Sequence, residues 1–355
     1  MAVIKFYPYI YIIMIGKTFG RKPSGERLKK IQQSPNYKHG TFQNIEPTEV
    51  LLKTASRMKM LKDFLNKSKS VNPPKKLPSV KTNLKDIIAD KPTIVWFGHS
   101  SYFIKSKDYN ILVDPVFSGS AAPFSFMVES FDGADIYNVD DLPIIDLLVI
   151  THDHYDHLNY PTIIKLKDKI KQIIAPLGVG AHLEYWGIDP NKITELDWWD
   201  EKNINEEIKF IATPARHFTG RSIKRNETLW TSYVLYIHGN KIFLGGDSGY
   251  DKQFKIIGEK HGPFDLAILE SGQYGDAWPY IHMLPEETVQ AAIDLGAKVL
   301  LPVHWGKFAL AYHDWNDPIK RIMQASDKIT VVNPKIGELY IIGNSFENEK
   351  WWDLV

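Results

Sequence analysis

From Thr93 onward the chain is a succession of short apolar runs separated by polar and turn-forming residues: TIVWFG, SYFIKS, NILVDP, IDLLVIT, IKFIATP, SYVLYIHG, NKIFLGG, FDLAILES, KVLLPVHW, KITVVNP and ELYIIG. Their length and their content of branched and aromatic residues predict strands. SYVLYI and KIFLGG, joined through HGN, predict a hairpin. Two stretches repeat at helical spacing instead: YPTIIKLKDKI after Asn159 and PEETVQAAIDLG after Leu284, each with proline in its first turn. Many strands with interspersed helices predict an α+β architecture, two sheets with helices outside.

The pattern ahead of Thr93 is different. Residues 1–16, MAVIKFYPYIYIIMIG, are mostly apolar but are interrupted by Lys5 and Pro8. The run is shorter than the roughly 20 residues of a spanning helix. A signal peptide, a short interfacial anchor and the remnant of a longer anchor all fit it. Lys17 to about Asn44 is polar and reads as an extended arm. Pro47 and Glu49 look like a first helical turn. Leu51, Ala55, Met58, Leu61 and Leu65 then recur at helical spacing among Lys53, Arg57, Lys59, Lys62 and Lys67. Such a basic amphipathic helix is expected to dock on its own domain in preference to lipid. SKSVNPPKKLPS (68–79) reads as a linker. The expected organisation is an apolar segment (1–16), a basic region of arm, helix and linker (17–92), a body (93–345) and a C-terminal tail (346–355).

Composition narrows the chemistry. The 355 residues, 44% apolar and 24% charged, are enough to bury a substantial core. With no cysteine, thiolate metal sites, iron–sulfur clusters, thiol nucleophiles and disulfides are excluded. The net charge of +1 conceals an asymmetry: residues 1–92 carry 19 Lys and Arg against 6 Asp and Glu, the remainder 24 against 36. A basic region on an acidic body suggests contact with an anionic surface, or a solvated face that aids solubility. No separate nucleic-acid-binding domain is visible, so no nucleic acid is expected as a partner.

One segment concentrates reactive side chains: Thr151-His152-Asp153-His154-Tyr155-Asp156-His157-Leu158, directly after the apolar run IIDLLVI. His152 and His154, two apart at a strand end, aim to one side. Asp156 and His157 follow on the turn, able to face a second point. Further ligands are expected at other strand ends, and His217 (PARHFTGR), Asp247 (GGDSGY) and His304 (PVHWGK) each follow a β run. Imidazole and carboxylate ligands alone favour zinc, with manganese or iron as other occupants.

The order HxHxDH, His, Asp, His resembles that of the metallo-β-lactamase superfamily. The strings WFGHSSYFI, ILVDPVFS, PARHFTGRS with NETLW, GGDSGY, GPFDLAILESGQY, HMLPEETVQAAIDLGAK and PVHWGKFALA are similar to its branch of N-acylphosphatidylethanolamine-hydrolysing phospholipase D-like hydrolases. They run from Trp96 to about Ala311. The resemblance implies a four-layer αββα sandwich with a two-zinc site at one edge. It implies that His152, His154 and His217 bind one zinc, that Asp156, His157 and His304 bind the other, and that Asp247 bridges them, the ions sharing a hydroxide. His282, in YIHMLPEET, matches a family histidine near the substrate phosphate, to orient a phosphoryl oxygen or protonate the leaving group; a helix-flanking histidine in contact with the core is the other reading. Asp156, Asp247 and His282 are thus the expected catalytic residues. His99 is a candidate for substrate contact or for organising the loop under the metals. Arg221 is a candidate phosphate ligand or a structural arginine. Asp153 and Tyr155 are expected to hydrogen-bond behind the ligands. His39, His182, His238, His261 and His313 are read as ordinary. Phe117, Phe124, Phe126 and Met127 could receive acyl chains or pack on the arm. The local sequence DAWPYIHM departs most from the mammalian-type phospholipase, which bears on substrate selection.

The expected function is a zinc-dependent phosphodiesterase of phospholipase D type acting on N-acylphosphatidylethanolamine-like phospholipids, with membrane contact through the basic N-terminal region. The alternatives are a lactonase or esterase with the same metals, and a non-catalytic membrane-associated binding protein. The expected location is membrane-associated or cytoplasmic.

Overall fold

The alternation of apolar side chains has a core on both of its faces. Ile94, Trp96, Tyr102, Ile104, Ile111, Val113, Leu147 and Val149 enter one buried cluster, while Val95, Phe97, Phe103, Leu112, Leu148 and Ile150, the residues between them, enter another. Strands buried on both sides must lie inside a layered stack. The computed structural model describes residues 16–355, so the apolar segment expected at 1–16 falls, except for Gly16, outside the described residues.

In chain order the strands are β1 (Tyr37–Lys38), β2 (Thr41–Phe42), β3 (Thr93–Trp96), β4 (Tyr102–Ser106), β5 (Tyr109–Val113), β6 (Ile145–Val149), β7 (Ile170–Pro176) and β8 (Ile193–Leu196). They continue with β9 (Glu201–Asn203), β10 (Ile208–Thr213), β11 (Ser232–Ile237), β12 (Asn240–Leu244), β13 (Leu266–Glu270), β14 (Val299–Val303), β15 (Thr330–Val331) and β16 (Leu339–Ile341). The helices are α1 (Gly25–Gln33), α2 (Arg57–Leu65), α3 (Tyr160–Leu166), α4 (Gly180–Tyr185), α5 (Gln253–His261), α6 (Pro285–Asp294) and α7 (Asp317–Ala325).

One sheet runs β16-β3-β4-β5-β6-β7-β8 and the other β15-β14-β13-β12-β11-β10-β9. Each has an antiparallel half and a parallel half. The expected hairpin is β11–β12, with His238 and Gly239 both at positive φ in its two-residue turn. The inner cluster joins both sheets, and it continues past the second sheet into Phe254, Ile257, Val289, Ala292, Ile319 and Ile322 of α5, α6 and α7. The outer cluster of the first sheet takes in Ile163, Leu166 and Leu183 of α3 and α4. The stack is therefore helix, sheet, sheet, helix, as the resemblance implied.

Three expectations for the ends of the chain are corrected. The extended arm is folded: α1 buries Ile31 among Phe42, Leu177, Trp198, Leu229 and Trp230, and Arg27 of α1 binds Glu184 at 2.6 Å and Glu195 at 2.8 Å. Tertiary contact stabilises a polar helix that local propensity alone would leave marginal. The helix expected from Pro47 starts only at Arg57; it meets the body through Met60 and Lys59, which pairs with Asp276 at 3.4 Å, while its apolar Met58, Leu61 and Leu65 are exposed to solvent. The expected tail at 346–355 is anchored: Trp351 and Trp352 are buried, and Trp351 stacks on Trp305 at 5.2 Å and 15°.

Candidate metal centre

The reactive residues follow the C-terminal ends of strands from both sheets. β6 leads to His152, β10 to His217, β12 to Asp247, and β14 directly to His304. The loop after β6 enters α3, which is capped by Asn159 accepting the Thr162 amide at 3.1 Å and carries Pro161 in its first turn. Helix start and strand end thereby fix both ends of the segment 152–158.

The convergent side chains fall into two groups of four, and Asp247, His282 and His304 form a third group that overlaps them. His152, His154, His217 and Asp247 each place one ligand atom within 4.8 Å of the others, and so do His99, Asp156, His157 and His304. His152 Nε2 lies 2.9 Å from His154 Nδ1, and His217 Nε2 lies 3.3 Å from the same atom. Asp247 faces both groups: Oδ2 is 3.7 Å from His152 Nε2, 3.7 Å from His217 Nε2 and 3.2 Å from His157 Nε2, and Oδ1 is 3.2 Å from His304 Nδ1. The seven residues singled out as ligands in the sequence are thus brought to one place, and His99 joins them.

The donor set fits divalent metals. His157 Nε2, His304 Nε2 and Asp247 Oδ1 are buried with no hydrogen-bond partner among the described residues. Unpaired buried polar atoms are costly, and a cation removes that cost. Imidazole nitrogens and carboxylate oxygens suit zinc, manganese or iron alike. Burial, with His157 and His154 nearby, holds His152 well below the ordinary histidine range. Burial would raise the Asp247 carboxyl, but His157, His304 and His152 hold it well below its usual value.

Residues whose roles the sequence did not reveal surround the ligands. Asp114, at the end of β5, accepts the Thr151 amide at 2.9 Å, the Thr151 hydroxyl at 2.6 Å and His157 Nδ1 at 2.8 Å. Ser100 Oγ lies 2.8 Å from His304 Nδ1. Asn44, from the N-terminal region, brackets His217 by accepting its amide at 3.1 Å and donating to its carbonyl at 2.7 Å. Glu270, fully buried at the end of β13, faces His282; burial pushes its carboxyl up to about 7. Four non-glycine residues, His99, Asp114, Gln273 and His304, hold positive φ around the cluster. Such strain persists where surrounding structure imposes it, often at functional sites. The sequence signal for Asp114 and Glu270 was a carboxylate ending an apolar strand, in ILVDP and LAILES.

Beside the ligands is an open cavity of about 340 Å³ reached by His154, Asp156, Asp247, His282 and His304. His282 lies in its wall, its ring 5.1 Å from those of His217 and His304. Phe218, Met60, Trp278, Ile281 and Leu310 supply apolar surface, and Arg225 a cation. Two substrate candidates are elsewhere. His99 is wholly buried and bonds Asp156 Oδ2 through Nε2 at 2.8 Å, so it holds a ligand and does not line the cavity. Arg221 is buried, and its guanidinium donates to the carbonyls of Asp153, Leu158 and Thr18; burial pulls it down to about 10. With its donors committed to the backbone, Arg221 ties the 152–158 loop in place. Arg225, exposed and without an ion pair among the described residues, is the arginine in the cavity wall.

Asp153 accepts from the Gly220 amide and Thr228 hydroxyl, both at 2.8 Å, and Tyr155 donates to the Arg221 carbonyl at 2.6 Å. His182, read as ordinary, joins this bracing: Nε2 lies 3.2 Å from Asp153 Oδ2, and Nδ1 accepts the Arg21 amide at 3.0 Å. Of the aromatic segment, Phe117 is buried, Phe124 packs edge-on with Phe19 of the N-terminal region, and Phe126 and Met127 are exposed.

A family model described as the beta-lactamase superfamily domain matches residues 109–305. An uncharacterized protein of Mycobacterium tuberculosis is 36% identical over 330 residues, covering 91% of this chain and 88% of that protein. N-acyl-phosphatidylethanolamine-hydrolyzing phospholipase D 1 of Caenorhabditis elegans is 29% identical over 264 residues, covering 69% of this chain and 74% of that one. Among solved structures, Igni18, a metallo hydrolase of Ignicoccus hospitalis, aligns with TM-score 0.54 at 19% identity, covering 72% of this chain and 100% of that one.

Proposed function

The chain belongs to the metallo-β-lactamase superfamily as a metal-dependent hydrolase, and on that footing we propose that it is a two-zinc phosphodiesterase of phospholipase D type, acting on N-acylphosphatidylethanolamine-like phospholipids. The observation that carries the reading is Asp247, whose Oδ2 lies between His152 and His217 of one donor group and His157 of the other, with Oδ1 beside His304, at the floor of a cavity with apolar walls. His152, His154, His217 and Asp247 would hold one metal, and Asp156, His157 and His304 the other, with Asp247 shared. Paired divalent ions lower the pKa of water and neutralise charge on phosphoryl oxygens.

The chain's own side chains suit a phosphodiester with a lipid body. Arg225, its guanidinium 5.0 Å from the Phe218 ring centre and without an ion pair among the described residues, offers a cation to an anionic oxygen, Phe218 and Leu310 offer apolar contact, and His282 would give a proton to a leaving oxygen. Helix α2 reaches the cavity through Met60 and exposes Met58, Leu61 and Leu65 among Arg57, Lys59 and Lys62. An apolar stripe flanked by cations suits peripheral contact with an anionic bilayer. Among the described residues, no helix is long and apolar enough to cross a membrane.

The test is zinc-reconstituted protein on N-acylphosphatidylethanolamine in mixed vesicles, with products identified by mass spectrometry in isotope-labelled water. The reading requires phosphatidate carrying the label and an N-acylethanolamine. Cleavage of lactones or carboxylic esters with no attack on any phosphodiester would overturn it.

A further inference from the structure

Behind His282 of the cavity wall is a carboxylate that the metal set does not use. Glu270 ends β13 with no solvent exposure, and its Oε1 accepts the Met283 amide at 2.6 Å. Its carbonyl accepts the Thr288 hydroxyl of α6 at 2.9 Å, so strand end and helix entrance close around the side chain. Its second oxygen, Oε2, is buried without a hydrogen-bond partner among the described residues, and so is Nδ1 of His282. These two atoms face each other at 3.6 Å. The His282 ring is fixed on its other sides, lying nearly parallel to His304 at 19° and edge-on to His217 at 64°. An unpaired buried carboxylate oxygen beside an unpaired buried imidazole nitrogen is resolved most simply by an Nδ1–H···Oε2 bond.

We propose that Glu270 is a positioning residue: it fixes His282 with Nδ1–H toward the carboxylate, so that Nε2 faces the cavity and delivers a proton to the leaving oxygen. The inference rests on the hydrolytic reading of the site. As the bond from phosphorus to the head-group oxygen breaks, the proton moves from His282 Nε2 to that oxygen. The ring is left neutral with Nδ1–H still bonded to Glu270, and it regains a proton from the water consumed in the hydrolysis. A glutamine at 270 can still accept the Met283 amide through its oxygen, but its NH2 donates to Nδ1 and reverses the tautomer.

The experiment compares metal-reconstituted wild type, Glu270→Gln, His282→Ala and the double variant on phosphodiesters with a p-nitrophenolate or an unactivated alkoxide leaving group. For the alkoxide, Glu270→Gln should lower kcat by about 100-fold, in the range for general acid catalysis, with KM and metal content retained. The loss on the p-nitrophenyl ester should be at least ten times smaller, because that leaving group needs little protonation. The double variant should be no worse than His282→Ala. Equal losses on both leaving groups, additive losses, or loss of metal from Glu270→Gln would overturn the proposal. If wild type cleaves only carboxylic esters, the phosphodiester reading fails and the same comparison is run on aryl and alkyl esters. Side-chain nitrogen NMR of His282 reads the pair without any substrate: protonated Nδ1 in wild type, unprotonated Nδ1 in Glu270→Gln. An identical tautomer in both proteins would overturn the pairing even if hydrolysis proceeds.

Discussion

Asp114 Oδ2 accepts a hydrogen bond from His157 Nδ1 at 2.8 Å while also taking the Thr151 hydroxyl at 2.6 Å. The bond turns Nε2 of His157 toward Asp156 and Asp247, so a strand-end carboxylate decides how one ligand faces the metal centre. Asp114→Asn should place an amide donor against the Thr151 and His157 donors and weaken metal binding at that half by about 10–100-fold. Isothermal titration with zinc checks this. An unchanged second binding step would contradict the role.

The two halves should differ in their response to acid. Burial lowers His154 and holds His152, His217 and, in the other half, His304 well below the ordinary histidine range. His157 goes the other way: burial would lower it, but Asp247, Asp156 and Asp114 raise it well above that range. A group with a raised value keeps its proton until the pH passes that value, and a metal must displace the proton to bind. Lowering the pH from about 8 to about 6 should therefore weaken the His157 half first. Metal titrations across that window, with proton release measured, check the order; loss of both metals in parallel would contradict it.

The two arginines after His217 should part company when mutated. Arg221→Met removes the guanidinium that donates to the carbonyls of Asp153, Leu158 and Thr18 and should lower Tm, with metal binding falling alongside. Arg225→Ala should leave Tm and metal content intact and raise KM for an anionic substrate by about tenfold, the size of a charge-assisted contact at a partly exposed site. Kinetics and thermal melts on both variants separate the roles.

Trp351 braces the centre from the C-terminal side, since Trp305, on which it stacks, directly follows His304. Trp351→Ala should destabilise the fold by about 3–5 kcal/mol. Denaturant unfolding of wild type and variant measures it; a cost below about 1 kcal/mol would mean that residues 346–355 are a tail after all.

The sequence and the structure agree where local pattern and tertiary role coincide. The runs around Ile94, Phe103, Leu112 and Leu148 are apolar on both faces and so announce buried strands. The convergence of the candidate ligands was legible because histidines and carboxylates at strand ends serve no packing need. β7 was not legible: Lys171 and Gln172 interrupt it, and its first residue, Ile170, continues the helical period of the preceding stretch. α1 was missed because a single side chain, Ile31, is fully buried, and its place is set by Arg27 meeting Glu184 and Glu195 more than 150 residues away. Glu270 and Asp114 were hidden for a related reason. Each sits in an apolar strand run, and only the fold shows which histidine it faces. Arg221 and Arg225 differ by four positions and not at all in type, so burial alone distinguishes them.

The proposed binuclear centre is built around Asp247. Metal content per chain, measured on purified wild type and Asp247→Ala together with turnover of a bis-aryl phosphodiester, tests it most directly. About two divalent ions per wild-type chain are expected, with activity abolished by chelator and restored by zinc, and at most one weakly held ion with negligible turnover in the variant. A single ion in wild type, or near-normal turnover without the Asp247 carboxylate, would contradict it.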